Sequence, residues 1–243
     1  MTFSLAVVDT VNGLLGAASA SKSLAVGSSV LAVSPARGIT ISQAATNRAL
    51  HGAMLHGLDA PVAPPHDSHT APADALPAPS VTPTSPREAL AAALGTDDQP
   101  QRRQCGVLTV TGRGAAHTGE QNVAWAGHHL REGDLAVLAM GNCLAGPEVL
   151  DAMVAAVRSP GSGDELAHSL VSALLAADAA GGDVRGRQSA SVVVARIDTT
   201  AQWPFTSLVD LRVDDDPQAS TSLEALLESW IANAEDRRRV GRR

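Results

Sequence analysis

Tyrosine is absent from this chain, and its 243 residues include only three tryptophans and two phenylalanines. Stacking platforms for bases or sugar rings are therefore not expected, and the core must be built from alanine, valine and leucine. Cysteine is nearly as scarce. Cys105 and Cys143 give neither a disulfide framework nor a metal-ligand spacing. Charged residues make up 18% of the chain with a net charge of −7, and no basic stripe marks a nucleic-acid groove. The one basic cluster, Arg237-Arg238-Arg239 with Arg242-Arg243, reads as cations near a helix C-terminus and a solvated tail. No apolar run reaches the roughly 20 residues of a membrane span. The N-terminus lacks the positive region of a signal peptide. These absences predict a soluble, cytoplasmic protein that binds neither nucleic acid nor membrane.

What is present begins at once. Thr2 opens a β-favouring run (Phe3, Leu5, Val7, Val8) that ends at Asp9, and Asn12-Gly13 marks a tight hairpin turn. The returning run Leu14–Ala18 leads into Ser19-Ala20-Ser21-Lys22-Ser23. A hydroxyl residue at the start of a strand, with lysine and serines at the end of its partner, suits hydrolysis by an N-terminal nucleophile. There the free α-amine, with an ordinary pKa of about 7.7–8.0, takes the proton of its own residue's hydroxyl. An edge hairpin that happens to start with threonine accounts for the same residues.

The remaining pattern alternates between strand and helix blocks. Strands are expected at 29–34, 39–43, 104–111, 115–118, 123–128, 134–140, 190–197 and 207–213. Helices are expected at 46–57, 85–94, 147–158 and 164–179, with a last one from Thr221. Capping boxes Ser85/Glu88 and Thr221/Glu224 mark two helix starts. Residues 59–86 carry eight of the fourteen prolines and read as a disordered surface insertion. His51, His56, His66 and His69 are irregularly spaced and have no completing carboxylate, so a solvated loop is favoured over a metal site. Short strands joined by tight turns predict antiparallel pairing. The sum is an α+β domain of two stacked sheets between helical layers.

Several polar segments fall where strands end. Ser21 and Lys22, Gln43 and Asn47, Asn142, and Asp183, Gln188 and Ser189 together offer a cation, amides, a carboxylate and hydroxyls. Such a set would suit an amide or acyl substrate if the segments converge. Gly112, Gly114 and Gly119 lack the following helix of a dinucleotide fingerprint, and Gly181-Gly182-Asp183 lacks the Lys-Ser/Thr of a P-loop. No cofactor is expected. His128 and His129 are adjacent in a strand and should face opposite ways. Asp214-Asp215-Asp216 reads as a dipole complement to the last helix. Cys143, at a helix start, is a weaker candidate nucleophile.

The segments TFSLAVVD, GAASASKSLAVGSSV, GITISQAATN, RRQCGVL, AHTGE, MGNCLAGPEVLDAM and AAGGDVRGRQSASVVV resemble the bacterial family DUF1028 over nearly the whole chain outside 59–86. The resemblance implies the N-terminal-nucleophile (Ntn) hydrolase-like fold, a four-layer αββα sandwich spanning residues 1–243 as a single domain. It implies that removal of Met1 would expose Thr2 as nucleophile, and it places Lys22 where some superfamily members keep a lysine that tunes it. Relatives commonly carry methionine at the place of Cys143, which argues against a cysteine mechanism. The functional expectation is hydrolysis of a C–N amide or related bond in a small polar substrate. Catalysis is assigned to Thr2, Lys22 and Asn142, and substrate binding to Ser21, Gln43, Asn47, Asp183, Gln188 and Ser189. Water activated by Asp183 is a further route. The alternative is a non-catalytic protein on the same fold that binds a small molecule or acts in assembly. A homodimer through an exposed sheet edge or apolar helix face is compatible with either.

Overall fold

The first two strands set the frame for the rest. In the computed structural model, which describes residues 2–58 and 85–234, β1 (Thr2–Asp9) pairs antiparallel with β2 (Leu14–Ser21), placing Thr2 opposite Ser21 and Asp9 opposite Leu14. The turn is closed by the buried Asp9 carboxylate, which accepts from the Asn12 backbone N–H and from Asn12 Nδ2, both at 2.9 Å. Gly13 supplies the positive φ of 63° that the turn requires.

The strands that follow are β3 (Leu31–Ser34), β4 (Gly38–Ala44), β5 (Arg103–Thr109), β6 (Gly114–Thr118), β7 (Gly127–Arg131), β8 (Leu135–Gly141), β9 (Ser189–Arg196) and β10 (Val209–Val213). The helices are α1 (Ala49–Gly57), α2 (Pro86–Gly95), α3 (Glu148–Ala156), α4 (Gly163–Ala179) and α5 (Ala219–Ala232). Two antiparallel sheets result. One has the order β10-β9-β2-β1-β8-β7 and the other β3-β4-β5-β6. The chain is thus a mixed α/β protein, as the block pattern predicts.

Alternation along β1 distributes its side chains between two cores. Phe3, Leu5 and Val7 join Leu150, Met153, Leu170, Leu174 and Leu223 of the helices α3, α4 and α5. Ala6 and Val8 face the other way and pack with Ile39, Ile41 and Leu108 of the second sheet. A third cluster joins Cys105 and Val107 of β5 to Leu50, Met54, Leu90 and Ala93 of α1 and α2. The sheets meet closely at Gly106, where a Cβ would lie 2.6 Å from Leu138 Cδ2 and 2.7 Å from Met140 Cε.

Among the expected boundaries that move, three have a clear local reason. β3 starts at Leu31 rather than 29, because Val26–Ser28 form a 3-10 turn preceded by Ala25 at φ 51°. The strand expected at 123–128 becomes β7 at 127–131. Residues 123 and 125 instead bond the loop after β8: Cys143 N–H donates to Val123 O at 2.9 Å, and Leu144 N–H to Trp125 O at 3.0 Å. α5 begins at Ala219, so Thr221 lies inside the helix and the Thr221/Glu224 capping box does not form. Asp216 serves that end instead, accepting from Gln218 N–H at 2.7 Å and from Ser222 Oγ at 2.6 Å. The Ser85/Glu88 box is present as expected. Most of the insertion expected at 59–86, with His66 and His69, lies outside the described residues. No helix among the described residues is long and apolar enough to cross a membrane.

α1 is pinned to the second sheet by His51. Its Nε2 lies 3.0 Å from Ser29 O, a pure acceptor, so Nε2 carries the proton and Nδ1 accepts from Thr40 Oγ1 at 2.8 Å. Burial pushes its pKa below 6.5, helped by the nearby Arg48 charge and opposed by the Ser29 carbonyl.

Two outcomes follow. Leu138→Ala, at a fully buried position between the sheets, should lower stability by about 2–5 kcal/mol in urea titration. Because the fold binds fewer protons at His51 than the unfolded chain does, stability should fall as pH drops below 6.5. His51→Asn should flatten that slope in denaturation curves recorded between about pH 7 and pH 5.

Candidate active site

The even-numbered positions of β1 that precede Ala6 are polar. Thr2 and Ser4 lie on the face that looks toward the second sheet, opposite Ser21 and Ser19 of β2. One end of the inter-sheet layer is therefore lined with hydroxyls, while the other end is apolar. Across from them stand Gln43 of β4 and Gln104 of β5, and Asn142 follows β8. Six of these residues are at most 1% exposed, and Thr2 is 4% exposed.

A single direction of hydrogen bonding runs through the cluster. Gln104 Nε2 donates to Gly141 O at 2.8 Å, Gly127 O at 3.0 Å and Thr118 Oγ1 at 3.1 Å. Carbonyls only accept, so the orientation of this amide is fixed. Gln104 Oε1 must then accept, and it does so from Gln43 Nε2 at 2.7 Å and Asn142 Nδ2 at 2.9 Å. Gln43 Oε1 in turn accepts from Ser4 Oγ at 2.6 Å. With the Ser4 proton committed, Ser19 is the donor across the 2.8 Å Ser4–Ser19 contact. Thr2 enters through its carbonyl, which accepts from Asn142 N–H at 3.1 Å and Gln43 Nε2 at 3.3 Å. Its hydroxyl donates to Ser21 Oγ at 3.1 Å.

Asn142 Oδ1 is buried and has no hydrogen-bond partner among the described residues. The corner that carries it is conformationally tight. Cys143 holds φ 56°, a region that non-glycine residues seldom occupy. Its N–H bonds Val123 O, and its carbonyl accepts from Val184 N–H at 3.1 Å. Asn142 Nδ2 is committed to Gln104 Oε1, and the unbonded group this side chain offers is an acceptor.

Of the residues assigned from sequence, the structure brings together Thr2, Ser21, Gln43 and Asn142. The side chains of the others are spent on local ties, Ser189 among them although it stands directly opposite Ser21 on β9. Lys22 follows Ser21 with its side chain exposed, and its Nζ donates to Arg187 O at 3.4 Å rather than approaching Thr2. The Asp183 carboxylate is held by Arg185 through Nε at 3.1 Å and Nη2 at 2.7 Å, and it also accepts from the Lys22 and Arg185 N–H groups. It is an oriented ion pair rather than a free base for water. Ser189 donates to Ser23 O at 2.6 Å and accepts from Val26 N–H at 2.9 Å, which ties down the loop after β2. Gln188 bonds Asp215 on the exposed side, and Asn47 bonds Asp97 at 2.6 Å. Asn47 Oδ1 also accepts from Ala49 N–H at 3.1 Å just before α1, which starts at Ala49 rather than 46. Burial raises the Cys105 thiol to about 11, so it is no thiolate nucleophile.

Ser4 and Gln104 belong to the cluster without being among the assigned site residues, and Ser19 enters it from the Ser19–Ser23 segment. The signal was there: hydroxyls at 2 and 4 and at 19 and 21 keep strict period two, so each pair must share a strand face. Gln104 carries no such mark. Among the described residues, no cluster of three histidine, cysteine, aspartate or glutamate side chains could hold a metal ion.

Chemically, the cluster presents one hydroxyl, Thr2 Oγ1, with a serine beside it and no ionisable side chain bonded to it. A base for that hydroxyl would have to be the α-amine of Thr2 itself.

The comparisons with known proteins agree with this architecture. The protein of Silicibacter pomeroyi known as SPO2555, whose crystal structure is described as a DUF1028 family member, superposes with a TM-score of 0.73 at 26% identity, covering 94% of this chain and 88% of that one. No curated protein matches the chain. The profile of the "Family of unknown function (DUF1028)" matches residues 2–74 and 82–223. The chain is therefore a member of the DUF1028 family.

Proposed function

We propose that this protein is an Ntn-type hydrolase, with the four-layer sandwich of that superfamily, acting on a C–N amide or related bond of a small polar substrate. The observation that carries the reading is the place of Thr2. It is the first residue of a central strand, with its hydroxyl on the inter-sheet face beside Ser21 and within a network of oriented amides. In the proposed reaction the free Thr2 amine takes the Oγ1 proton as Oγ1 attacks the substrate carbonyl. The C–N bond then breaks, the amine product leaves with that proton, and water hydrolyses the Thr2 ester. Asn142 Oδ1, the buried acceptor without a partner, would receive the substrate N–H. Lys22 has no part, since its ammonium lies on Arg187 O.

A second reading has its own support. Thr2 is only 4% exposed and its hydroxyl is already bonded. This favours a non-catalytic protein that binds a small molecule at the same end of the sheets.

The two readings separate on a panel of acyl amides and anilides. With Thr2 as the free N-terminus, Thr2→Ala should lower kcat/KM by about 1,000-fold or more, and Thr2→Ser should retain measurable turnover. Turnover unchanged in Thr2→Ala contradicts the nucleophile assignment.

A further inference from the structure

Two polar rows on the inner face of the six-stranded sheet continue from the Thr2 cluster onto β9, Thr2–Ser21–Ser189 and one that runs on to β10. Ser4 is opposite Ser19, Ser19 is opposite Ser191 of β9, and Ser191 is opposite Arg212 of β10. Directly opposed residues of antiparallel strands project to the same face. The hydroxyl of Ser191 and the guanidinium stem of Arg212 are thus neighbours, and a Cβ placed on Gly27 would touch both, at 2.7 Å from Ser191 Oγ and 3.4 Å from Arg212 Cδ.

A cavity of about 370 Å³ lies here, where the edge strand β3 faces β9 and β10. Its apolar walls include Leu31, Val33, Leu55, Trp203 and Phe205. Trp203 and Phe205 meet edge to face at 5.7 Å, and Trp203 is 84% exposed. In a chain with five aromatic residues, two are spent on this rim. The polar side is formed by Ser191, Asp210 and Arg212. Ser191 is 4% exposed, yet its hydroxyl has no hydrogen-bond partner. Among the described residues Arg212 gives only Nε to Asp210, at 3.3 Å, and its two terminal nitrogens bond none of them. His51 also lines the cavity, but both of its ring nitrogens are already bonded.

A buried hydroxyl without a partner is costly to keep, and a mostly apolar cavity with a few convergent polar groups is the usual form of a small-molecule site. We propose that this cavity binds a small carboxylic acid with an aromatic or branched apolar body. The carboxylate would be held by the terminal nitrogens of Arg212 and the Ser191 hydroxyl. The body would lie against Leu31, Val33 and the Trp203–Phe205 pair. A guanidinium fork matches a carboxylate in geometry as well as charge. Asp210 offsets part of that charge, which favours a monoanion over a phosphate dianion. The site is separate from Thr2, and its test does not depend on any chemistry there.

The test is calorimetric titration of the full chain with 4-phenylbutyrate and with its neutral isostere 4-phenylbutyramide. One saturable site for the carboxylate is expected, with Kd of about 1 mM or tighter. Arg212→Gln should weaken the carboxylate about tenfold or more and change the amide less than about twofold. Trp203→Ala should weaken both. Ser191→Ala should weaken the carboxylate several-fold while leaving the thermal midpoint unchanged or higher, because it removes an unsatisfied group. A purely structural serine would show the reverse. The proposal is overturned by the absence of saturable binding, by binding that these variants leave unchanged, or by an Arg212→Gln loss equal for the acid and the amide.

Discussion

Two sheets can stack over a polar patch only if every amide in the patch finds partners on the other sheet. The Gln104 side chain meets that constraint here. It is fully buried, and its five hydrogen bonds reach the second sheet, the first sheet and the corner after β8. Left unpaired in such a place, a polar group costs about 1–3 kcal/mol. The surrounding carbonyls dictate how this amide is turned, and its orientation then sets those of Gln43, Asn142, Ser4 and Ser19 in sequence. The polar end of the inter-sheet layer is a fixed lattice of donors and acceptors rather than a set of adaptable side chains.

That lattice separates scaffold from chemistry. Gln43, Gln104, Ser4 and Ser19 spend their capacity on one another. Thr2 Oγ1 and Asn142 Oδ1 are the atoms of the cluster left closest to free, one bonded only to a serine and the other to nothing. The same logic extends along the inner face. Ser191 is the next hydroxyl in the row, and it too is left over, at the point where β3 ends the second sheet. A shortage of bulky aromatics makes this layout workable. Small residues such as Ala6, Ala17 and Gly106 let the sheets approach over the central strands, while Phe3 lies in the helix-side core and the Trp203–Phe205 pair at the rim.

Much of the fold was legible from the sequence because its signals are local. Asn12-Gly13 gave the first hairpin and Ser85/Glu88 the start of α2. The expected strand 134–140 is an unbroken apolar run, and as β8 both of its faces are covered. The readings that shifted depended on partners distant in sequence. Val123 looks like a strand residue until Cys143 claims its carbonyl. Thr221 looks like a cap until Asp216 takes that role from outside the motif. At the site, Thr2, Ser21, Gln43 and Asn142 were found because they sit at strand ends. Lys22, Asp183, Gln188, Ser189 and Asn47 share that address but are turned into local ties. Strand-end position locates a residue without saying which way its side chain is spent: Gln104, at the start of the strand expected at 104–111, carries the same mark as residues that become local ties.

The central claim is that Thr2 acts through its own amine, and the chemical state of the N-terminus tests it most directly. Intact mass spectrometry of untagged protein, supported by N-terminal sequencing, reads that state. The account predicts a mass short by one methionine and threonine as the first residue. A mass with Met1 retained would leave the Thr2 nitrogen an amide without basicity, and would contradict the account.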